Sequence, residues 1–160
     1  TPEEIAFAEK LHATYGPETE LPGLGAHYDP KIAAEVKALR EKAPTKALNG
    51  FVMPLYTGDA FSPGSTDVGD VGYATPTVMF HVATACLGNV GHSWQNTAFA
   101  CSGIGMKGML RAAEIMTLAA IRTMDQPAVI AKAREELKQK NGGSYHCPLP
   151  DYVTPPIGRY

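Results

Sequence analysis

Four groups of residues have types and spacings that could do chemistry. Gly103-Ile104-Gly105-Met106-Lys107-Gly108 is a literal GxGxxG, the pattern that brings backbone amides against a dinucleotide pyrophosphate, and Asp125 stands about where a ribose-binding acid would. That site needs an apolar strand before the glycines and a second parallel strand ending at the acid. Here Asp125-Gln126-Pro127 reads as the start of another helix, so the glycines are assigned no dinucleotide. His27-Tyr28-Asp29 has the spacing of a metal-binding imidazole oriented by a carboxylate, yet Asp29 before Pro30 is already accounted for as a helix cap. Glu135-Glu136 could set a base beside a ligand, but paired carboxylates on a Lys-rich helix form a solvated face. His81, Cys86, His92 and Cys101 fall within 21 residues. Their spacings of four, five and eight intervening residues do not match the short CxxC or HxxxH pairs of a zinc knuckle.

His92 differs from the rest in context. It follows an apolar run and a glycine turn, stands beside Ser93, Trp94 and Gln95, and precedes a long helix. Strand ends in α/β domains are where catalytic loops sit. A lone histidine is also commonly structural, and both readings stand at this point. A Ser-His-Asp triad is not indicated, because no GxSxG nucleophile elbow occurs.

The elements that must position these residues follow from caps and periodicity. Thr1-Pro2-Glu3-Glu4 predicts a capped helix start, with Ile5, Ala8, Leu11 and Tyr15 on one face and Gly16-Pro17 as the stop. A second helix opens at Asp29-Pro30, turns Ile32, Val36 and Leu39 to one side, and ends before Pro44. From Pro44 to Pro76 the chain reads as irregular, with a short strand at Phe51-Val52-Met53 and a short helix through Val68 and Val71. Thr77–Ala85 is β-branched and almost continuously apolar, which predicts a strand buried on both faces, with Cys86 and His81 in or beside it. The longest helix is expected from Ile104 to Met124, apolar over so wide a surface that it should be mostly buried. Pro127 restarts a solvated helix with a Glu136–Lys140 pair, ended by Gly142-Gly143, and a Pro-rich tail runs from Ser144.

The chain has 160 residues and a net charge of −2 with no basic block, which argues against nucleic acid and against a polybasic membrane surface. No apolar run approaches a membrane span, and no signal-like segment opens the chain. Three cysteines without framework spacing favour a reducing, cytoplasmic compartment. Residue 1 is Thr rather than Met, which reads as a processed chain or a piece of something longer.

The strings Gly64-Ser65-Thr66-Asp67-Val68-Gly69-Asp70-Val71, Thr75-Pro76-Thr77, Gly91-His92-Ser93-Trp94-Gln95 and Lys107–Ala113 together carry a resemblance. They resemble the C-terminal part of the aminobenzoyl-glutamate hydrolase branch of the aminoacylase/carboxypeptidase metallohydrolases, as does the end Cys147–Pro156. The resemblance implies an α/β catalytic domain interrupted by a dimerising lid, holding two divalent metals (Zn or Mn) with a bridging carboxylate and water. In that family a glutamate takes the water's proton and the hydroxide attacks an amide carbonyl of an N-acyl or N-aroyl amino acid. His92 matches the family's last metal ligand, and Ser65, Thr66 and Asp67 match its loop near the metals, with Trp94 and Gln95 beside His92.

The sequence departs from the family in one large respect. The N-terminal His-x-Asp, the bridging Asp and the Glu-Glu pair precede the lid in the family, and His27-Tyr28-Asp29 and Glu135-Glu136 stand in the wrong order to replace them. The expectation is therefore a partial catalytic domain of α/β class over residues 1–160, without the lid: a few strands packed with about four helices. Its parts are two leading helices (1–43), strand and site loops (44–100), closing helices (101–143) and the tail (144–160). No catalytic base is expected in it, metal binding by the chain alone is expected to be absent or weak, and activity alone is not expected. A homo-oligomer or a complementary N-terminal fragment is expected as partner, alongside a small-molecule acyl-amino acid substrate in the parent enzyme. The competing expectation is a non-catalytic interaction module remaining from such an enzyme.

Overall fold

Thr1 begins the chain as a helix cap. Its hydroxyl accepts from the Glu4 amide at 3.3 Å and its amino group donates to the Glu4 carboxylate at 2.7 Å, closing the box that launches α1 (Pro2–His12). The computed structural model describes residues 1–16, 30–55, 66–147, 149–150, 152–154 and 157–158. Five further helices follow among them: α2 (Pro30–Lys42), α3 (Val68–Ala74), α4 (Trp94–Ala100), α5 (Gly103–Met124) and α6 (Pro127–Asn141). Local chemistry explains their ends. Pro127 occupies the first turn of α6, where a missing N–H costs nothing, and Gly142 at φ 71° takes the left-handed position that ends it. The expected Glu136–Lys140 pair is present at 2.7 Å. The Asp29 cap and the His27-Tyr28-Asp29 string lie outside the described residues.

The α/β expectation is overturned. The described residues form helices and irregular segments, with no strand and no sheet among them. Among the described residues neither Phe51-Val52-Met53 nor Thr77–Ala85 pairs with another segment, and no backbone–backbone hydrogen bond there involves Val78–Ala85. A β-branched apolar run states a preference for a pleated, packed surface, but a sheet exists only where a second segment satisfies its amides and carbonyls. The expected burial fails for the same reason. Val78 and Met79 are 85% and 66% exposed, and Met106, Met109, Leu110, Met116, Leu118 and Ile121 on α5 are each at least half exposed.

The structure divides into two units. The first comprises Thr1–Pro63 and Phe80–Leu118, the second Gly64–Met79 and Ala119–Tyr160. The core of the first joins Ala8 and Leu11 of α1, Ala47, Cys86 and Phe99 of α4. Phe99 is 1% exposed and meets the Phe7 ring edge-on with centroids 5.5 Å apart. Cys86 is buried there as a thiol outside any disulfide, though no strand carries it. Thr45, though buried, donates to the Glu9 carboxylate and accepts from the Ala47 amide, so its hydroxyl is satisfied. Lys107 of α5 reaches Glu4 of α1 at 2.8 Å.

The glycines of the GxGxxG string serve packing. Gly105 and Gly108 are buried on α5; a Cβ on Gly105 would fall 2.5 Å from the Phe99 carbonyl oxygen, and one on Gly108 would fall 2.6 Å from that of Ala83. Both glycines let backbone approach backbone, which is chemistry enough to explain them.

In the second unit, Tyr145 donates to the Asp70 carboxylate of α3 at 2.7 Å and stacks on Tyr73, while Asn141 donates to the Tyr73 carbonyl. These contacts tie the end of α6 to α3. The Asp70 carboxylate beside it holds the Tyr145 phenol well above its ordinary pKa. No helix among the described residues is long and apolar enough to cross a membrane.

Candidate functional site

The candidate site residues fall in both units. His92, Trp94 and Gln95 belong to the first, Thr66 and Asp67 to the second, and Ser65 lies outside the described residues. Thr66 and Asp67 prepare the start of α3. The Thr66 hydroxyl accepts from the Val68 amide at 3.4 Å and the Asp67 carbonyl accepts from the Val71 amide at 3.3 Å. Asp67 occupies the cap position, but its carboxylate makes no capping hydrogen bond and stands exposed. The expected short helix through Val68 and Val71 is thus present, preceded by the local Thr66–Val68 contact rather than by a side-chain cap.

His92 sits in the turn between Cys86 and α4, and among the described residues it is the one non-glycine with positive φ, at 58°. A left-handed conformation costs an L-residue on the order of 1–2 kcal/mol, so something must hold it. The holding groups are on both sides. Ser93 donates to the Val90 carbonyl at 2.6 Å and accepts from the Asn96 amide at 3.2 Å, which closes the turn and caps α4 together. Asn89 accepts from the Tyr15 hydroxyl at 2.8 Å and donates to Asn96 at 2.7 Å. Gln95 donates to the Thr14 hydroxyl at 3.0 Å. The imidazole itself is exposed, and Trp94 is 63% exposed beside it. Burial pushes the Tyr15 phenol above its usual pKa.

The sequence points to His92 and its neighbours but not to what supports them. Helical spacing makes Tyr15 the last apolar position of α1, whereas α1 ends at His12 and Tyr15 lies in the following turn. The available signal is the phenol: a tyrosine facing a core brings a hydroxyl that needs a partner. The segment of α4 reads as loop from its glycine-rich approach, although Ser93 ahead of Trp94-Gln95-Asn96 is a plain cap sequence.

A metal would need several donors in one place. Among the described residues, no three His, Cys, Asp or Glu side chains come together in a way that could hold an ion. One exposed imidazole is a single ligand, and a metal held by one protein group is neither tightly bound nor oriented. The described residues therefore do not by themselves fit a dinuclear site.

Comparison with known proteins agrees with the resemblance carried by the motifs. The chain is similar to a subunit of the p-aminobenzoyl-glutamate hydrolase of Escherichia coli (strain K12), 31% identical over a stretch that covers 96% of this chain and 32% of that protein. The chain thus spans about a third of the length of the curated relative it matches. No family model matches the chain, and no solved structure does.

Proposed function

We propose that this chain is the C-terminal segment of a two-metal amidohydrolase that cleaves N-acyl or N-aroyl amino acids such as aminobenzoyl-glutamate, and that it is inactive alone. The observation that carries this reading is the match along 96% of the chain to a named hydrolase subunit, and the resemblance of the Gly64–Val71 and Gly91–Gln95 strings supports it. In this reading His92 supplies one metal-binding imidazole, and Thr66, Asp67, Trp94 and Gln95 belong to the loops around the substrate. The remaining ligands and the base come from polypeptide other than this chain. The cell compartment is the cytoplasm, in keeping with three cysteines of which none is in a disulfide.

Co-assembly follows from the same reading. The run Thr77–Ala85, unpaired among the described residues, and the exposed apolar sides of α5 are surfaces suited to a neighbour. Covering them returns roughly 25 cal/mol per Å². A polypeptide corresponding to the other two thirds of the relative, or a second copy of this chain, would cover them. The charged α6 would stay in water.

The test is release of glutamate from p-aminobenzoyl-glutamate with Mn²⁺ or Zn²⁺ added. The chain alone should give none. Co-expressed with polypeptide covering the rest of the relative's length, it should give turnover that His92→Ala abolishes. Turnover by the chain alone would overturn the claim of inactivity, and no turnover in any combination would overturn the hydrolase reading. A stable complex without hydrolysis of any acyl-amino acid would favour the second reading, a non-catalytic interaction module, for which the exposed face of α5 is the supporting observation.

A further inference from the structure

Two anchors flank His92 at fixed points. On one side Asn89 is gripped by Tyr15 and Asn96, and on the other Ser93 grips Val90 and the first turn of α4. Between Val90 and Ser93 only Gly91 and His92 remain to reverse the chain. The left-handed conformation falls on the histidine rather than the glycine. A histidine tolerates this region better than most residues but does not choose it unaided. The grip on Asn89 originates outside the turn, 74 positions earlier in the chain.

From this we propose that Tyr15 is a positioning residue for His92: by holding Asn89 through its hydroxyl, it keeps the turn closed and the imidazole presented from the first unit at a set angle. The catalytic value of that presentation rests on His92 being the functional imidazole, as read above; the closure of the turn does not. The phenol suits the task because its ring packs against the core of the first unit, so its hydroxyl has little freedom and transmits the position of α1 to the turn. Gln95 on Thr14 is a second tether between the same two segments, which fixes α4 and reaches Asn89 only through Asn96. Tyr15 therefore acts upstream of His92 and Gln95 downstream of it.

The test uses the 160-residue chain in solution and the variants Tyr15→Phe, Asn89→Ala and Asn89→Asp, the last of which keeps an acceptor for the phenol and takes a hydrogen bond from Asn96 once that side-chain amide turns its NH2 toward it. A positive φ shortens the distance between a residue's amide and α protons, giving a strong intraresidue nuclear Overhauser effect. Wild type and Asn89→Asp should show that strong signal at His92, and Tyr15→Phe and Asn89→Ala should lose it. All four should retain the cross-peaks between the Phe7 and Phe99 rings. A strong His92 signal in both Tyr15→Phe and Asn89→Ala would overturn the proposal. So would its absence in wild type, or its loss only together with the Phe7–Phe99 cross-peaks. In the co-assembled hydrolase, Tyr15→Phe should lower kcat by about tenfold or more while KM stays within about twofold, because small misplacements act on the reacting geometry. An unchanged kcat with the turn opened would overturn the positioning role. No turnover with wild-type chain would instead refute the hydrolase reading, leaving the turn itself to be decided by the His92 signal.

Discussion

Substituting Gly108 by Ala should destabilise the chain, although the change favours helix. In a helix interior Ala is better than Gly by about 1 kcal/mol. Against this stands the contact with the run before Cys86. The new Cβ would lie 2.6 Å from the Ala83 carbonyl oxygen and 2.7 Å from the Thr84 methyl, where ordinary contact begins at 3.4 Å. One of the two segments must retreat by the difference, about 0.8 Å, and because the nearer atom is backbone, no side-chain rotation relieves it. Overpacking of this kind costs about 1–3 kcal/mol. The net expectation is destabilisation by about 1 kcal/mol, a fall in unfolding midpoint of about 2–4 °C for a chain of this size. Gly72 in α3 is the control, since a Cβ there meets nothing within 4 Å and Gly72→Ala should be neutral or stabilising. Urea and thermal unfolding followed by far-ultraviolet circular dichroism would measure both. A Gly108→Ala chain as stable as wild type, with Gly72→Ala behaving as expected, would refute the close approach of Ala83–Thr84 to α5.

Two further outcomes are expected. The Lys107 ammonium and the N-terminal amine hold the Glu4 carboxyl down to about 2 from its ordinary 4.5. A carboxylate depressed in the folded state adds stability above its unfolded pKa and loses it as pH falls through the folded value. The stability advantage of wild type over Glu4→Gln should therefore be present at about pH 7 and shrink between pH 4.5 and about 2, read from urea midpoints across that window; an advantage unchanged at pH about 2 would contradict it. Phe99→Ala removes the largest fully buried ring and its edge-on partner contact, and should cost about 3–5 kcal/mol. Denaturant titration would show this, and a loss below about 1 kcal/mol would mean that the ring is not central to the core.

Adjacent residues determine the helices. Thr1 with Glu4, Pro127 and Gly142 act within a few positions of themselves, so their effect is written in neighbouring letters, and the start of α1, the bounds of α5 to within a residue, and both ends of α6 follow, whereas α1 stops at His12, ahead of the expected Gly16-Pro17. The motif at Gly91–Gln95 likewise points to His92, since the turn and its cap are local. Tertiary structure decides the rest. Thr77–Ala85 has the composition of a buried strand, but pairing and burial need another segment, and the described residues provide none; the same holds for the apolar sides of α5. The context of Gly103–Gly108 already sets a dinucleotide aside, but what the glycines do instead is shown only by the neighbouring carbonyls of Phe99 and Ala83. The grip of Tyr15 on Asn89 joins residues 74 positions apart, a distance over which periodicity and capping carry no information. That contact exists because the fold brings the turn after α1 to the turn before α4, and a half-buried hydroxyl must find its acceptor there.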